Sequence, residues 1–174
     1  RSDSSMVLID PELMAFVEPI EGDPPFMSLD ELCGGDGPGS DDYERPRSDP
    51  EAMAVLQFTS GSTSEPKGVM LKHSNICHNL DGAWKAAGVT HNDRLVSWLP
   101  LYHDMGLIGL LTIPMTMGTD LIQGAPQDFL ARPLRWMRWL SDFGGTATAG
   151  PNFAYALATR ALRRCEEPFE LSQV

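Results

Sequence analysis

Leu56-Gln57-Phe58-Thr59-Ser60-Gly61-Ser62-Thr63-Ser64-Glu65-Pro66-Lys67-Gly68-Val69-Met70-Leu71 is the stretch on which the reading of this chain turns. A short apolar run, Ala54 to Phe58, predicts a strand. It stops at six small residues, Thr59 to Ser64, of which five carry hydroxyls and the sixth is glycine. Pro66, Lys67 and Gly68 follow, and Val69 to Leu71 predicts a second strand. Small residues let a backbone approach a polyanion, hydroxyls and freed amides donate hydrogen bonds, and a lysine supplies the countercharge. The chemistry suggested is phosphate binding. A polar hairpin loop would also use Ser, Thr and Gly, but the ordered run through Pro-Lys-Gly is more specific than that. The common nucleotide loop ends Gly-Lys-Ser/Thr and opens a helix. Here Lys67 precedes Gly68 and a strand follows, so that reading fails.

The 174 residues suit one domain with a real core. The net charge of −11 is unevenly spread. Residues 1–66 hold 15 acidic and 3 basic side chains, whereas residues 67–174 hold 9 and 10. This balance argues against nucleic-acid binding. Three widely spaced cysteines, Cys33, Cys77 and Cys165, favour free thiols in a reducing compartment. His73, His78, His91 and His103 have no metal-ligand spacing. The most apolar stretch, Met105 to Met117, contains Pro114 and is too short to span a bilayer. No signal-peptide pattern stands at Arg1, so a cytoplasmic location is expected. The absent initiator methionine and abrupt end suggest a piece of something longer.

Residues 1–51 read as an acidic, Pro/Gly-rich lead-in. Met6 to Ile9 predicts a strand, and Asp10-Pro11-Glu12 a helix start with Asp10 as N-cap. Residues 18–51 contain six prolines and five glycines, with only Phe26 to Leu32 able to pack and Gly34 to Asp42 expected to be disordered. From residue 52 to 174 the texture becomes α/β. Ser74 to Ala87 predicts a helix capped by Ser74 and stopped at Gly88. Strands are expected over Arg94 to Leu99, Thr119 to Gln123 and Thr146 to Ala149, and a buried helix over Met105 to Met117. Arg132 to Phe143 predicts an amphipathic helix whose Trp136, Trp139, Leu140 and Phe143 face the core rather than a ligand. A last helix runs from Asn152 to Arg164. Such alternation implies a layered αβ sandwich with a largely parallel sheet.

Two further motifs sit where strands give way to helices, the edge at which α/β proteins bind ligands. In Leu99-Pro100-Leu101-Tyr102-His103-Asp104-Met105-Gly106-Leu107, His103 could orient a carboxylate or the phosphate it attacks. It could equally be a helix-start residue bonded to nearby backbone. Asp104 reads as a helix N-terminal residue. In Gly150-Pro151-Asn152-Phe153-Ala154-Tyr155, Gly-Pro ends a strand and Asn152 caps a helix.

The Thr59–Gly68 string resembles the phosphate loop of the adenylate-forming (acyl-activating) superfamily, whose usual pattern is Thr-Ser-Gly-Ser/Thr-Thr-Gly-x-Pro-Lys-Gly. Ser64 stands where glycine is commonest. His-Asp-Met-Gly-Leu and Pro-Asn-Phe-Ala-Tyr are most similar to the fatty acyl-AMP ligase branch. The resemblance is good from Ala52 to Val174 and faint before it. It implies part of the large N-terminal domain of an enzyme that joins a fatty acid to ATP, giving acyl-adenylate and pyrophosphate, in fatty-acid or polyketide metabolism. Thr59, Ser60, Gly61, Ser62, Thr63 and Lys67 would hold the ATP phosphates, with Lys67 and His103 as the catalytic pair. Gly150, Pro151, Asn152 and Tyr155 would border the acyl pocket. An acyl carrier protein would then accept the acyl group. The alternatives are a fatty acyl-CoA synthetase and a non-catalytic binding domain of the same fold. The family's Tyr-Gly-x-Thr-Glu, Thr-Gly-Asp and late-lysine elements have no counterpart here, so adenine, ribose and Mg2+ ligands are expected outside the chain, and the chain alone is expected to be inactive.

Overall fold

A computed structural model describes residues 4–34, 44–59 and 67–174, which divide into two units, Arg1–Ser48 and Asp49–Val174. In the first, β1 (Val7–Ile9) pairs parallel with β2 (Phe26–Ser28), Val7 opposite Phe26. Helix α1 (Pro11–Met14) starts as its sequence predicts, Asp10 accepting the Glu12 N–H at 2.8 Å. Helix α2 (Leu29–Gly34) is a feature that composition hid. Ser28 and Glu31 form a reciprocal cap, Ser28 N–H donating to Glu31 Oε2 at 2.8 Å and Glu31 N–H to Ser28 Oγ at 3.1 Å. Of the stretch expected to be disordered, residues 35–42 lie outside the described residues.

The second unit begins with an antiparallel hairpin, β3 (Met53–Thr59) and β4 (Lys67–Lys72), with Gln57 opposite Val69 and Thr59 opposite Lys67. Helix α3 (His73–Ala87) follows and stops at Gly88, whose φ of 69° a side chain would resist. Ser74 is not its cap. The Asn75 side chain accepts the Lys72 N–H at 3.0 Å, while the Ser74 hydroxyl points to Glu51 at 3.4 Å.

Three parallel strands form the second sheet in the order β6-β5-β7: β5 (Arg94–Ser97), β6 (Asp120–Gln123) and β7 (Ala147–Thr148). The central strand is covered on both faces, so Leu95, Val96 and Ser97 are buried. Between β5 and β6 the expected helix exists in an unexpected form: a π-helix, Met105–Thr112, continued by α4 (Ile113–Met117). The Thr112 hydroxyl donates to the Leu107 carbonyl five residues back at 2.7 Å. The stretch is only partly buried, since Met105 and Met115 are exposed.

Helix α5 (Pro126–Ala131), which the sequence did not suggest, precedes α6 (Leu134–Phe143). Helix α6 starts two residues later than Arg132 because Arg132 precedes Pro133, which pushes it to an extended φ, ψ of −147°, 90°. Trp136, Met137 and Leu140 form its buried stripe; Phe143, the last residue before the Gly144 turn, stays exposed. Trp136, Trp98 and Phe129 make the centre of the core. The Trp98 and Phe129 rings stack at 3.8 Å, and Trp136 stands edge-on to both at 6.0 and 5.8 Å. The Trp136 indole N–H donates to Thr148 Oγ1 at 2.9 Å, and that hydroxyl donates to the Val96 carbonyl at 2.7 Å, tying α6 to two strands. The last helix, α7 (Asn152–Leu162), has Pro151 as N-cap residue, with Asn152 inside the first turn rather than capping it. All three cysteines are free. No described helix is long and apolar enough to cross a membrane.

Candidate functional site

Strand alternation decides what the hairpin presents beneath its loop. Gln57 and Thr59 on β3, and Val69 and Leu71 on β4, share one face by register. Ser60, Gly61, Ser62 and Thr63 lie outside the described residues; Thr59 and Lys67 are the two ends of the loop and directly oppose each other. The Thr59 hydroxyl sits 3.4 Å from the Lys67 carbonyl. Lys67 makes no ion pair with any other described residue.

His103 is held at the N-terminus of the π-helix. Its N–H donates to the Pro100 carbonyl at 3.2 Å, and its carbonyl accepts the Leu107 N–H at 2.9 Å. Gly106 allows this approach, since a Cβ there would lie 2.3 Å from the Pro100 oxygen. The imidazole Nδ1 is 2.7 Å from Asp104 Oδ1. The Met105 N–H has both within reach, Asp104 Oδ1 at 2.7 Å and His103 Nδ1 at 3.2 Å. One ring nitrogen cannot donate to the carboxylate and accept from the amide at once. The shorter amide contact goes to Asp104, which assigns Nδ1 as a donor to the same oxygen. Nε2 then points away from the pair. It accepts a hydrogen bond when the ring is neutral and donates one when the ring is protonated.

Two cavities meet at Met105. The larger, about 800 Å³, lies between the hairpin, α3 and the π-helix. Gln57, Thr59 and Asp104 stand on its lining with Asn75 and Asn79, and Val69, Leu71, Ile76, Met105 and Ile108 supply its apolar walls. The smaller, about 300 Å³, is lined by Trp98, Tyr102, His103, Met105, Pro151 and Phe153 among others. Thr59 and His103 thus open on two spaces that share one methionine. Of the residues expected at an acyl pocket, only Pro151 reaches a cavity that His103 also lines. A Cβ at Gly150 would lie 3.2 Å from the Trp136 ring, and the Tyr155 ring packs against that indole with centroids 5.1 Å apart. Gln57, Asn75 and Asn79 went unread in the sequence. Their signals are the strand period that pairs Gln57 with Thr59, and the one-turn spacing of Asn75 and Asn79 on α3. No cluster of three His, Cys, Asp or Glu side chains able to hold a metal occurs among the described residues.

Residues 3–171 match the model of the family described as AMP-binding enzyme. The chain belongs to the AMP-binding enzyme family. The match takes in the acidic lead-in, where the likeness was expected to be faint. Among curated members, the chain is 37% identical over 123 residues to the medium-chain-fatty-acid–[acyl-carrier-protein] ligase TtuA of Teredinibacter turnerae, covering 70% of this chain and 19% of that one. It is 42% identical over 111 residues to the long-chain-fatty-acid–AMP ligase FadD26 of Mycobacterium tuberculosis, covering 62% and 19%. The fatty acyl-adenylate ligase of Legionella pneumophila, solved with acyl adenylate and pyrophosphate, superposes with a TM-score of 0.84 at 32% identity, over 97% of this chain and 30% of that one. This member therefore spans about a fifth of the length of the curated relatives it matches.

Proposed function

We propose that this chain is the phosphate-binding and acyl-binding part of a cytoplasmic ligase that activates a fatty acid with ATP. A carboxylate oxygen attacks the α-phosphorus; the new C–O–P linkage forms as the bond to the leaving pyrophosphate breaks. The observation that carries this reading is the opening of Thr59, at the mouth of the loop, onto the same apolar-walled cavity as Asp104 and Met105, next to His103.

The difficulty of the step is that an anion approaches a polyanion. Thr59, Ser60, Ser62, Thr63 and Lys67 would stabilise the charge gathering on pyrophosphate, with Gly61 letting the backbone close on it. His103, its Nδ1 beside Asp104 Oδ1, would orient the incoming carboxylate through Nε2. The acyl tail would then run along Val69, Leu71 and Ile76 in the larger cavity. The smaller cavity, walled by Pro151 and Phe153, would border the carboxylate from the other side of Met105, with Gly150, Asn152 and Tyr155 as its sequence neighbours. Transfer to an acyl carrier protein is supported by the likeness to TtuA, a medium-chain-fatty-acid–[acyl-carrier-protein] ligase.

Fatty-acid-dependent ATP–pyrophosphate exchange tests the reading. The full-length protein should catalyse it, and the 174-residue chain alone should not. Lys67→Ala in the full-length protein should lower exchange by about 10²–10³-fold while leaving the unfolding midpoint in place. Unchanged exchange in that variant would remove Lys67 from the site.

A further inference from the structure

Two glycines three residues apart on the π-helix are glycine for opposite reasons. At Gly106 a Cβ would collide with the Pro100 carbonyl, so packing excludes any side chain. At Gly109 a Cβ would meet nothing within 4 Å. Nor does its backbone demand glycine, since Gly109 is not among the residues with positive φ. Glycine inside a helix is destabilising relative to alanine, and here neither sterics nor conformation requires it. What Gly109 borders is the larger cavity, where it stands with Ile108 and Met105 on the wall facing Val69, Leu71 and Ile76. The space that a side chain would fill is cavity space.

We infer that Gly109 sets the length of acyl chain the site accepts, by leaving open the part of the cavity that a longer tail occupies. The inference rests on the proposal that the tail lies in this cavity. On the lining, Asp104 and Met105 stand at the start of the π-helix, beside His103, and Ile108 and Gly109 lie one turn further along the same helix. A substrate anchored by its carboxylate at His103 therefore meets the Gly109 wall with its methylenes, not with its head group. Leucine at this position would put four carbons where the tail runs, and alanine one.

The test is the ratio of kcat/KM for adenylation of hexadecanoate to that of octanoate, in the full-length protein and in Gly109→Ala and Gly109→Leu. A methylene-sized mismatch in an apolar pocket discriminates by about 10–200-fold. The ratio should fall by that order in Gly109→Leu and by a smaller factor in Gly109→Ala. Thermal unfolding shows whether both variants fold; the alanine variant carries the test if leucine does not. A ratio unmoved in folded variants, with the unsubstituted protein active on fatty acids, overturns the role of Gly109 alone. No exchange with any fatty acid in the unsubstituted protein overturns this inference and the proposed function together.

Discussion

The parallel sheet and the hairpin use apolar residues in equal earnest and end in different conditions. Around β5 every large side chain finds company: Trp98, Phe129 and Trp136 are buried against one another, and the single indole N–H of Trp136 has its hydroxyl partner. On the hairpin, one face turns to the larger cavity and the other is bare. Phe58 is 56% and Met70 72% exposed, and both lie on the side opposite Thr59 and Val69. An antiparallel pair carries stability only when a face is packed. The sheet thus supplies the rigidity of the unit. The hairpin and π-helix, which carry the candidate site, are built around open space.

The widest separation between the two regions should appear on truncation. Trp136→Ala removes a fully buried indole and leaves Thr148 without its donor, and is expected to cost about 3–5 kcal/mol. Met70→Ala on the bare hairpin face should stay within about 0.5 kcal/mol. Urea unfolding of the 174-residue chain measures both. Equal losses would mean that the hairpin face is packed in solution and the contrast is wrong.

The π-helix offers a finer comparison within one element. Gly106→Ala forces a Cβ to 2.3 Å from a backbone oxygen, which cannot rotate aside as a side chain would. Overpacking of this kind costs about 1–3 kcal/mol, and the displaced helix start would carry His103 with it. A heteronuclear NMR spectrum should show shifts at His103 and Asp104 in that variant. Their persistence at unsubstituted positions would show that the loop absorbs the strain elsewhere.

These particulars also explain what could be read in advance. The strands expected over residues 54–58, 94–99 and 119–123 were legible in place because each contains a short apolar run ended by a breaker, though the second stops at Ser97 rather than Leu99. The Ser28-x-x-Glu31 cap was available in the sequence and was obscured by the prolines around it. Pro126 after Ala125 was likewise a helix start left unread. The π-helix was not available: its five-residue hydrogen-bond step leaves no separate period in a run apolar on every side, Met105 to Met117. The cavity was not available either, because its walls come from β3, β4, α3 and the π-helix, elements whose relative placement no local pattern encodes. The chemistry of Thr59 and His103 could be suspected from their motifs, but the methionine between their two cavities could not.

The smallest expected effect concerns how the sheet is stitched at its polar end. Asp93, just before β5, accepts the Thr146 hydroxyl at 2.7 Å and the Thr90 N–H and hydroxyl at 2.6 and 2.8 Å. These bonds, the one from Thr146 first, favour the carboxylate and hold its pKa below the ordinary aspartate range. A carboxyl whose pKa is lower folded than unfolded contributes stability that is complete above the unfolded value, near 3.9, and is lost as pH falls through the folded one. The hairpin's counterpart, the Glu51–Lys72 pair at 2.7 Å, is more than half exposed on both sides and sits in the class worth about 0–1 kcal/mol. Asp93→Asn should therefore flatten the decline in urea midpoint as pH falls from about 5 to 3. Glu51→Gln should instead reduce the sensitivity of the midpoint to salt. If Asp93→Asn leaves the acid limb as steep as before, the bonds across β5 and β7 form equally well to a neutral group. The polar stitching of the sheet would then owe nothing to charge, and its advantage over the hairpin would rest on the aromatic core alone.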